Sequence, residues 1–168
     1  MAERVSPAES AEMAEMLEHS KKISALSAIS AGQIISGTNK QTMTENEISY
    51  EIRGAIYDVY KTLGPGLLES VYEEAMIYEL KRRGLKVQQQ VEVPIRYKGH
   101  LLRTKLRLDL LVEDKVIIEL KSVLDMHEVF FKQTRTYLRL KGLKLGILVN
   151  FNTEDILDDS IFRVVNGL

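Results

Sequence analysis

From residue 46 onward the apolar positions fall into a regular order. Ile48, Ile52, Ala55, Ile56, Val59, Tyr60 and Leu63 recur at helical spacing, so they predict one amphipathic helix. Gly64-Pro65-Gly66 must end it. A second helix then carries Leu68, Val71, Tyr72, Ala75, Met76 and Leu80 on its apolar face and stops near Gly84. Beyond Gly84 the period becomes two. Val87, Val91, Val93 and Ile95 suggest a strand, and Lys98-Gly99 marks a turn. Residues 101–112 and 116–121 follow as further strands. Residues 127–141 have helical spacing through Val129, Phe130, Gln133, Tyr137 and Leu140, with Gly142 as the stop. Residues 143–151 are an apolar strand, and 161–165 a short final one. The order α-α-β-β-β-α-β, with a last short strand, predicts an α/β fold with a central mixed sheet flanked by helices.

Residues 1–44 differ in kind. They are rich in Ala, Ser, Met and Glu and hold no aromatic residue. Met13, Met16 and Leu17 offer at most one weak helical stripe, so the stretch is expected to be a poorly ordered or partly helical extension. Met43-Thr44-Glu45-Asn46-Glu47 looks like a natural beginning, and residues 45–168 are expected to form the folded domain.

The chain has 168 residues, 45% hydrophobic and 28% charged, enough for a core without staples. It has no cysteine, which excludes disulfides and thiolate metal sites. With three His, a carboxylate site for a hard cation is the natural metal site to look for. No apolar run approaches the ~20 residues of a membrane span, and the N-terminus lacks a signal-like apolar core. A cytoplasmic protein with no membrane association is expected. The net charge of −1 does not announce nucleic acid. Between Lys81 and Arg107, however, nine basic residues face a single acid, Glu92. That stretch is either a solvated sheet edge or a surface for a polyanion.

The chemistry concentrates in Arg107-Leu-Asp109-Leu-Leu-Val-Glu-Asp-Lys-Val-Ile-Ile-Glu119-Leu-Lys121. If Glu113-Asp114-Lys115 form the loop, Val112 pairs with Val116. Asp109 then falls opposite Glu119, and Arg107 opposite Lys121. Glu119 and Lys121 share a face because side chains alternate along a strand. Ile118 and Leu120 point the other way. Two acids brought together in a half-buried place repel each other and lose solvation, costs that a divalent cation offsets. A neighbouring lysine can stabilise charge developing on phosphorus or orient the attacking water. Metal-assisted phosphodiester hydrolysis is the chemistry this set suits. The competing explanation is a cross-strand salt bridge of Asp109 and Glu119 with Arg107 and Lys121.

Gly66-Leu-Leu-Glu69-Ser-Val-Tyr72 resembles the motif that names the GxxExxY family, placed within the PD-(D/E)xK nuclease superfamily. The similarity extends over residues 45–168, including Leu63-Gly-Pro-Gly66, Glu119-Leu-Lys121 and Leu148-Val-Asn-Phe-Asn152. Leu108 stands where the superfamily signature has Pro. The resemblance implies a restriction-endonuclease-like fold, metal binding by Asp109 and Glu119, and Lys121 as catalytic lysine. Glu69 becomes a further metal-binding acid, contributed by an early helix, and Gln133 a catalytic polar residue on the helix after the Glu-x-Lys strand. It implies Mg²⁺ or Mn²⁺ as cofactor and DNA or RNA as partner; a homodimer is allowed for.

Other residues stay open. Glu69 lies in the first turn of a helix, where a carboxylate already gains from the dipole. Tyr72 is either a core aromatic or a hydrogen-bond partner of Glu69 or of a phosphate. Gln133 needs a partner if buried. Arg135, Arg139, His127 and His100 fit solvated or structural positions better than chemical ones. Beside the enzyme stand two alternatives: a nucleic-acid-binding domain that keeps the fold without turnover, and a protein-interaction module.

Overall fold

The computed structural model describes residues 2–4, 43–157 and 160–167. Its elements are β1 (Ala2–Arg4), α1 (Glu45–Leu63), α2 (Glu69–Arg82), β2 (Val87–Tyr97), β3 (His100–Val112), β4 (Val116–Lys121), α3 (Glu128–Lys141), β5 (Leu145–Asn150) and β6 (Ile161–Val165). They build one six-stranded sheet in the order β1-β6-β5-β4-β3-β2. Only β4 and β5 run parallel; the other neighbours are antiparallel. This is the mixed sheet flanked by helices that the periodicities predict. β1 was not foreseen, because three residues are too few to carry a period. The reading of 1–44 otherwise lies outside the described residues, apart from Met43 and Thr44. No described helix is long and apolar enough to cross a membrane.

α1 starts at a capping box: Thr44 accepts from Glu47 N–H, and the Glu47 carboxylate accepts from Thr44 N–H at 2.7 Å. The helix then lays Ile48, Ile52, Ala55, Ile56 and Val59 against one face of the sheet, beside Tyr72, Met76 and Leu80 of α2. Ile118, Leu120, Ile147 and Val149 receive them. On the other face Tyr137 and Leu138 of α3 pack on Ile117, Leu148 and Phe162. β5 is buried throughout and β4 as far as Leu120. A strand covered on both sides needs apolar residues at consecutive positions, which is why these two read as unbroken apolar runs. α3 comes so close to β5 that a Cβ on Gly146 would stand 2.9 Å from Thr134 Cγ2.

Three predicted helix faces shift in detail. Leu63 at the end of α1 is exposed. On α2, Leu68 and Val71 are exposed, and only Tyr72, Met76 and Leu80 are fully buried. On α3, Val129 and Leu140 are exposed; the buried line runs through Thr134, Tyr137 and Leu138. The closeness of Gly146 decides that phase, since a small polar Thr fits there and a bulkier residue would not.

Candidate active site

The β3–β4 hairpin is built as its sequence demands. Glu113 and Asp114 both adopt left-handed φ values of 51° and 56°, the conformation of a tight hairpin turn, and Val112 faces Val116 as predicted. The ladder continues through Leu111↔Ile117 and Leu110↔Ile118 and then stops. Beyond it the Asp109 side chain replaces the backbone: Oδ2 accepts the N–H of Leu120 at 2.8 Å. The N–H of Asp109 donates to Glu119 Oε1 at 3.4 Å. On the other flank, Gln90 of β2 adopts φ 51° between the pairs Gln89↔Leu110 and Val91↔Leu108, so it sits opposite Asp109. The distortion has a visible result. Leu108 packs in the α3-side layer and Leu110 in the α1/α2-side layer, although simple alternation would give both the same face.

Asp109 and Glu119 are thus neighbours, as the register argument expects. Arg107 does not stand opposite Lys121, because the β3–β4 ladder ends first. It pairs across β2 with Glu92 instead. The salt-bridge explanation therefore loses one of its two cations, and Lys121 Nζ lies only at the outer limit of pairing, 4.0 Å from Asp109 Oδ2. Lys121 Nζ donates to Leu120 O at 2.8 Å and stands 5.6 Å from the Phe130 ring centre.

The electrostatics are adverse to two ionised acids. Glu119 is 2% exposed, and burial, then the charge of Asp109, pushes its carboxyl up to about 8, against the pull of Lys121. Asp109 is also raised, first by burial; the Leu120 N–H and Lys121 oppose this, and Glu73 and Glu69 add to it. An acid buried this deeply, held by a 3.4 Å hydrogen bond from Asp109 N–H, is the environment a cation would stabilise. Two hard oxygen donors side by side fit Mg²⁺ or Mn²⁺.

Glu69 is not the third member of a closed cluster. Its Oε1 accepts the N–H of Ser122 at 3.1 Å, tying the start of α2 to the segment leaving β4. Among the described residues no three His, Asp or Glu side chains converge where they could hold a metal ion. Glu69 instead acts on Asp109 and Glu119 as nearby negative charge. Tyr72 resolves to the core. It is fully buried and stacks on Phe151 with ring centres 4.3 Å apart. Its hydroxyl donates to Gly64 O at 2.7 Å and accepts Leu67 N–H at 3.1 Å, closing the turn between α1 and α2. Gln133 is exposed rather than buried, and its amide donates to Tyr137 OH at 2.7 Å. Tyr137 is raised first by burial and next by the charge of Glu119. His127 is the N-cap of α3 without a side-chain cap bond, and His100 is exposed at a hairpin tip.

Three contributors escaped the sequence reading. Glu73 acts on Asp109 and accepts from Gln90 at 2.7 Å. Its spacing of four from Glu69 on one helix was the available signal. Asn150, buried at the end of an apolar strand, holds the segment after Lys121. Its Oδ1 accepts Val123 N–H at 3.1 Å and its Nδ2 donates to Val123 O at 2.9 Å. A polar residue closing a wholly buried run was the clue. Ser122, whose hydroxyl donates to Leu67 O at 2.6 Å, gave none.

A family model described as the PD-(D/E)XK nuclease superfamily matches residues 46–164. No curated protein matches the chain. A solved structure, the crystal structure of SSO0001, is 17% identical; the match covers 79% of this chain and 71% of that one, with a TM-score of 0.46.

Proposed function

This chain belongs to the PD-(D/E)XK nuclease superfamily, and on that premise we propose that it hydrolyses phosphodiester bonds of DNA or RNA at Asp109, Glu119 and Lys121. The observation that carries the reading is the pairing of a 2%-exposed Glu119 with a raised Asp109, with an ammonium 4.0 Å from the latter. We place the chain in the GxxExxY branch on Gly66, Glu69 and Tyr72, the residues that spell its motif.

Asp109 and Glu119 would hold Mg²⁺ or Mn²⁺. When bound, the ion neutralises phosphate charge and makes a bound water a better nucleophile. Lys121 is the third catalytic group. Its Nζ has donor hydrogens beyond the one given to Leu120 O, and these orient water or meet the charge that grows on the phosphoryl oxygens. Burial of its stem, with the side chain 13% exposed, fixes where that charge sits. Gln133, held by Tyr137, offers a carbonyl oxygen and an amide hydrogen to water or substrate from the α3 side. Glu69 adds negative potential that favours a dication over a monovalent ion, and it braces Ser122 beside Lys121.

The test is cleavage of labelled single- and double-stranded DNA and RNA with Mg²⁺ or Mn²⁺. Wild type should cut at least one substrate, and Asp109→Ala and Lys121→Ala should cut none. Binding without cleavage of any substrate would leave a nucleic-acid-binding domain on a nuclease fold.

A further inference from the structure

The basic stretch noted in the sequence divides in two once the contacts are known. In its first part Arg82, Arg83 and Lys86 are ion-paired. Arg82 and Arg83 both bond Glu79, Arg83 also reaches Glu51 and Asp58, and Lys86 pairs with Asp114. Its second part is the outer β2–β3 ribbon, residues 92–107. There Arg96, Lys98, Arg103, Lys105 and Arg107 face one acid, Glu92, which gives five positive charges against one negative, a net +4. Glu92 is engaged by Lys105 at 2.5 Å. Among the described residues Arg96, Lys98 and Arg103 have no carboxylate partner. Arg96 donates to Gly99 O at 3.4 Å, and Lys98 stands 5.6 Å from the Tyr97 ring centre.

The register sorts these charges. Glu92↔Arg107, Pro94↔Lys105 and Arg96↔Leu101 are cross-strand partners, so each pair shares a face. The register shifts between Pro94 and Arg96, so Arg103 falls in the irregular stretch toward the ribbon tip, where it is exposed. The opposite side carries Val93, Leu106 and Leu108, which pack toward α3. One face of the ribbon is therefore apolar and inward; the other carries Lys105 and Arg107, and exposed Arg96 and Arg103 extend the positive charge beyond the register shift. Lys105 and Arg107 follow at an interval of about 6.7 Å. Two residues past Arg107 on the same strand is Asp109.

We propose that this ribbon is a binding arm for duplex DNA, its cationic residues set on backbone phosphates. The inference rests on the nucleic-acid reading above for its ligand class. Duplex DNA is favoured by shape as well as charge. A two-stranded ribbon fits the major groove of B-form DNA, whereas the major groove of A-form RNA is too deep and narrow to admit protein elements. Phosphates recur every ~3.4 Å of rise along a strand, so cations this closely set each meet a phosphate.

The experiment is fluorescence anisotropy of a labelled DNA duplex with the full chain, in EDTA, across a salt series. The probes are wild type, the triple variant Arg96→Gln/Arg103→Gln/Arg107→Gln, and a control variant Lys86→Gln/Lys132→Gln, whose lysines are already ion-paired at 2.7 Å. Thermal melting checks that the surface substitutions leave the fold intact. The triple variant should bind about tenfold more weakly or worse at 0.1 M salt. Its slope of log affinity against log salt should be shallower by about 2.7, or 0.9 for each lost phosphate contact. The control should match wild type. Unchanged affinity and slope in the triple variant would overturn the proposal, as would tighter binding to duplex RNA or single strands than to duplex DNA. EDTA prevents metal-dependent turnover, so the two readings fail separately. A ribbon effect in a protein that cuts nothing removes the nuclease alone, and cleavage indifferent to the ribbon removes the arm alone.

Discussion

Asp109 Oδ2 accepts the backbone N–H of Leu120 at 2.8 Å, one residue beyond the last β3–β4 pair. The side chain takes over a hydrogen bond that the ladder has given up. The carboxylate thus has two duties, one structural and one electrostatic, and substitutions can separate them.

Asp109→Asn keeps an oxygen for Leu120 N–H and removes the charge beside Glu119. In EDTA this variant should be as stable as wild type or more so. Asp109→Ala orphans a half-buried N–H, so it should be less stable than Asp109→Asn by about 1–3 kcal/mol. Both should lose metal binding. Urea melts of the two variants side by side test this; equal stability would mean that the Leu120 bond contributes nothing.

Glu119 makes the metal-free protein sensitive to alkali. Its folded pKa, about 8, lies above the ordinary value of 4.5, so the folded state holds the proton more tightly than the unfolded chain. The associated stability is complete below about 4.5 and is lost as pH rises through about 8. Asp109, also raised, works in the same direction. Chemical denaturation in EDTA should show stability falling between about pH 4.5 and 8, by at most about 1.4 kcal/mol per unit of pH for one group. Glu119→Gln should flatten most of that fall. A wild-type profile that rises over this range would contradict the buried-acid geometry.

Cation binding should reverse the same dependence. A metal needs the Glu119 carboxylate ionised, so binding below pH 8 must expel a proton. Mn²⁺ affinity should rise with pH up to about 8, and calorimetric heats at pH 7 should vary with the buffer's ionisation enthalpy. At a hundredfold excess over Kd, Mn²⁺ should add about 2.7 kcal/mol of stability. Glu119→Ala should abolish both effects. Binding heats independent of buffer would place the ion elsewhere.

Tyr72 belongs to the framework, and its removal should be felt as such. Tyr72→Phe keeps the stacking on Phe151 and leaves Leu67 N–H and Gly64 O without their shared hydroxyl. The expected loss is about 1–3 kcal/mol of stability, with Mn²⁺ affinity at 25 °C unchanged. Unaltered stability combined with lost metal binding would return Tyr72 to the site.

Much of this was present in the order of residues. Alternation placed Glu119 and Lys121 on one face, the short polar loop set Val112 against Val116, and unbroken apolar runs marked β4 and β5 as central. These are local properties, fixed by periods of two and 3.6 residues that any segment carries within itself. The folded arrangement decided the rest. Where the β3–β4 ladder stops, which way Leu108 and Leu110 turn, and that Arg107 goes to the ribbon while Asp109 goes to the acids were settled only in the assembled sheet, at the irregularity where left-handed Gln90 faces Asp109. The same holds for the phase of α3, set by the close approach at Gly146, and for which cations are already paired. Contacts between residues distant in sequence have no period to betray them. They exist only after packing has chosen among neighbours.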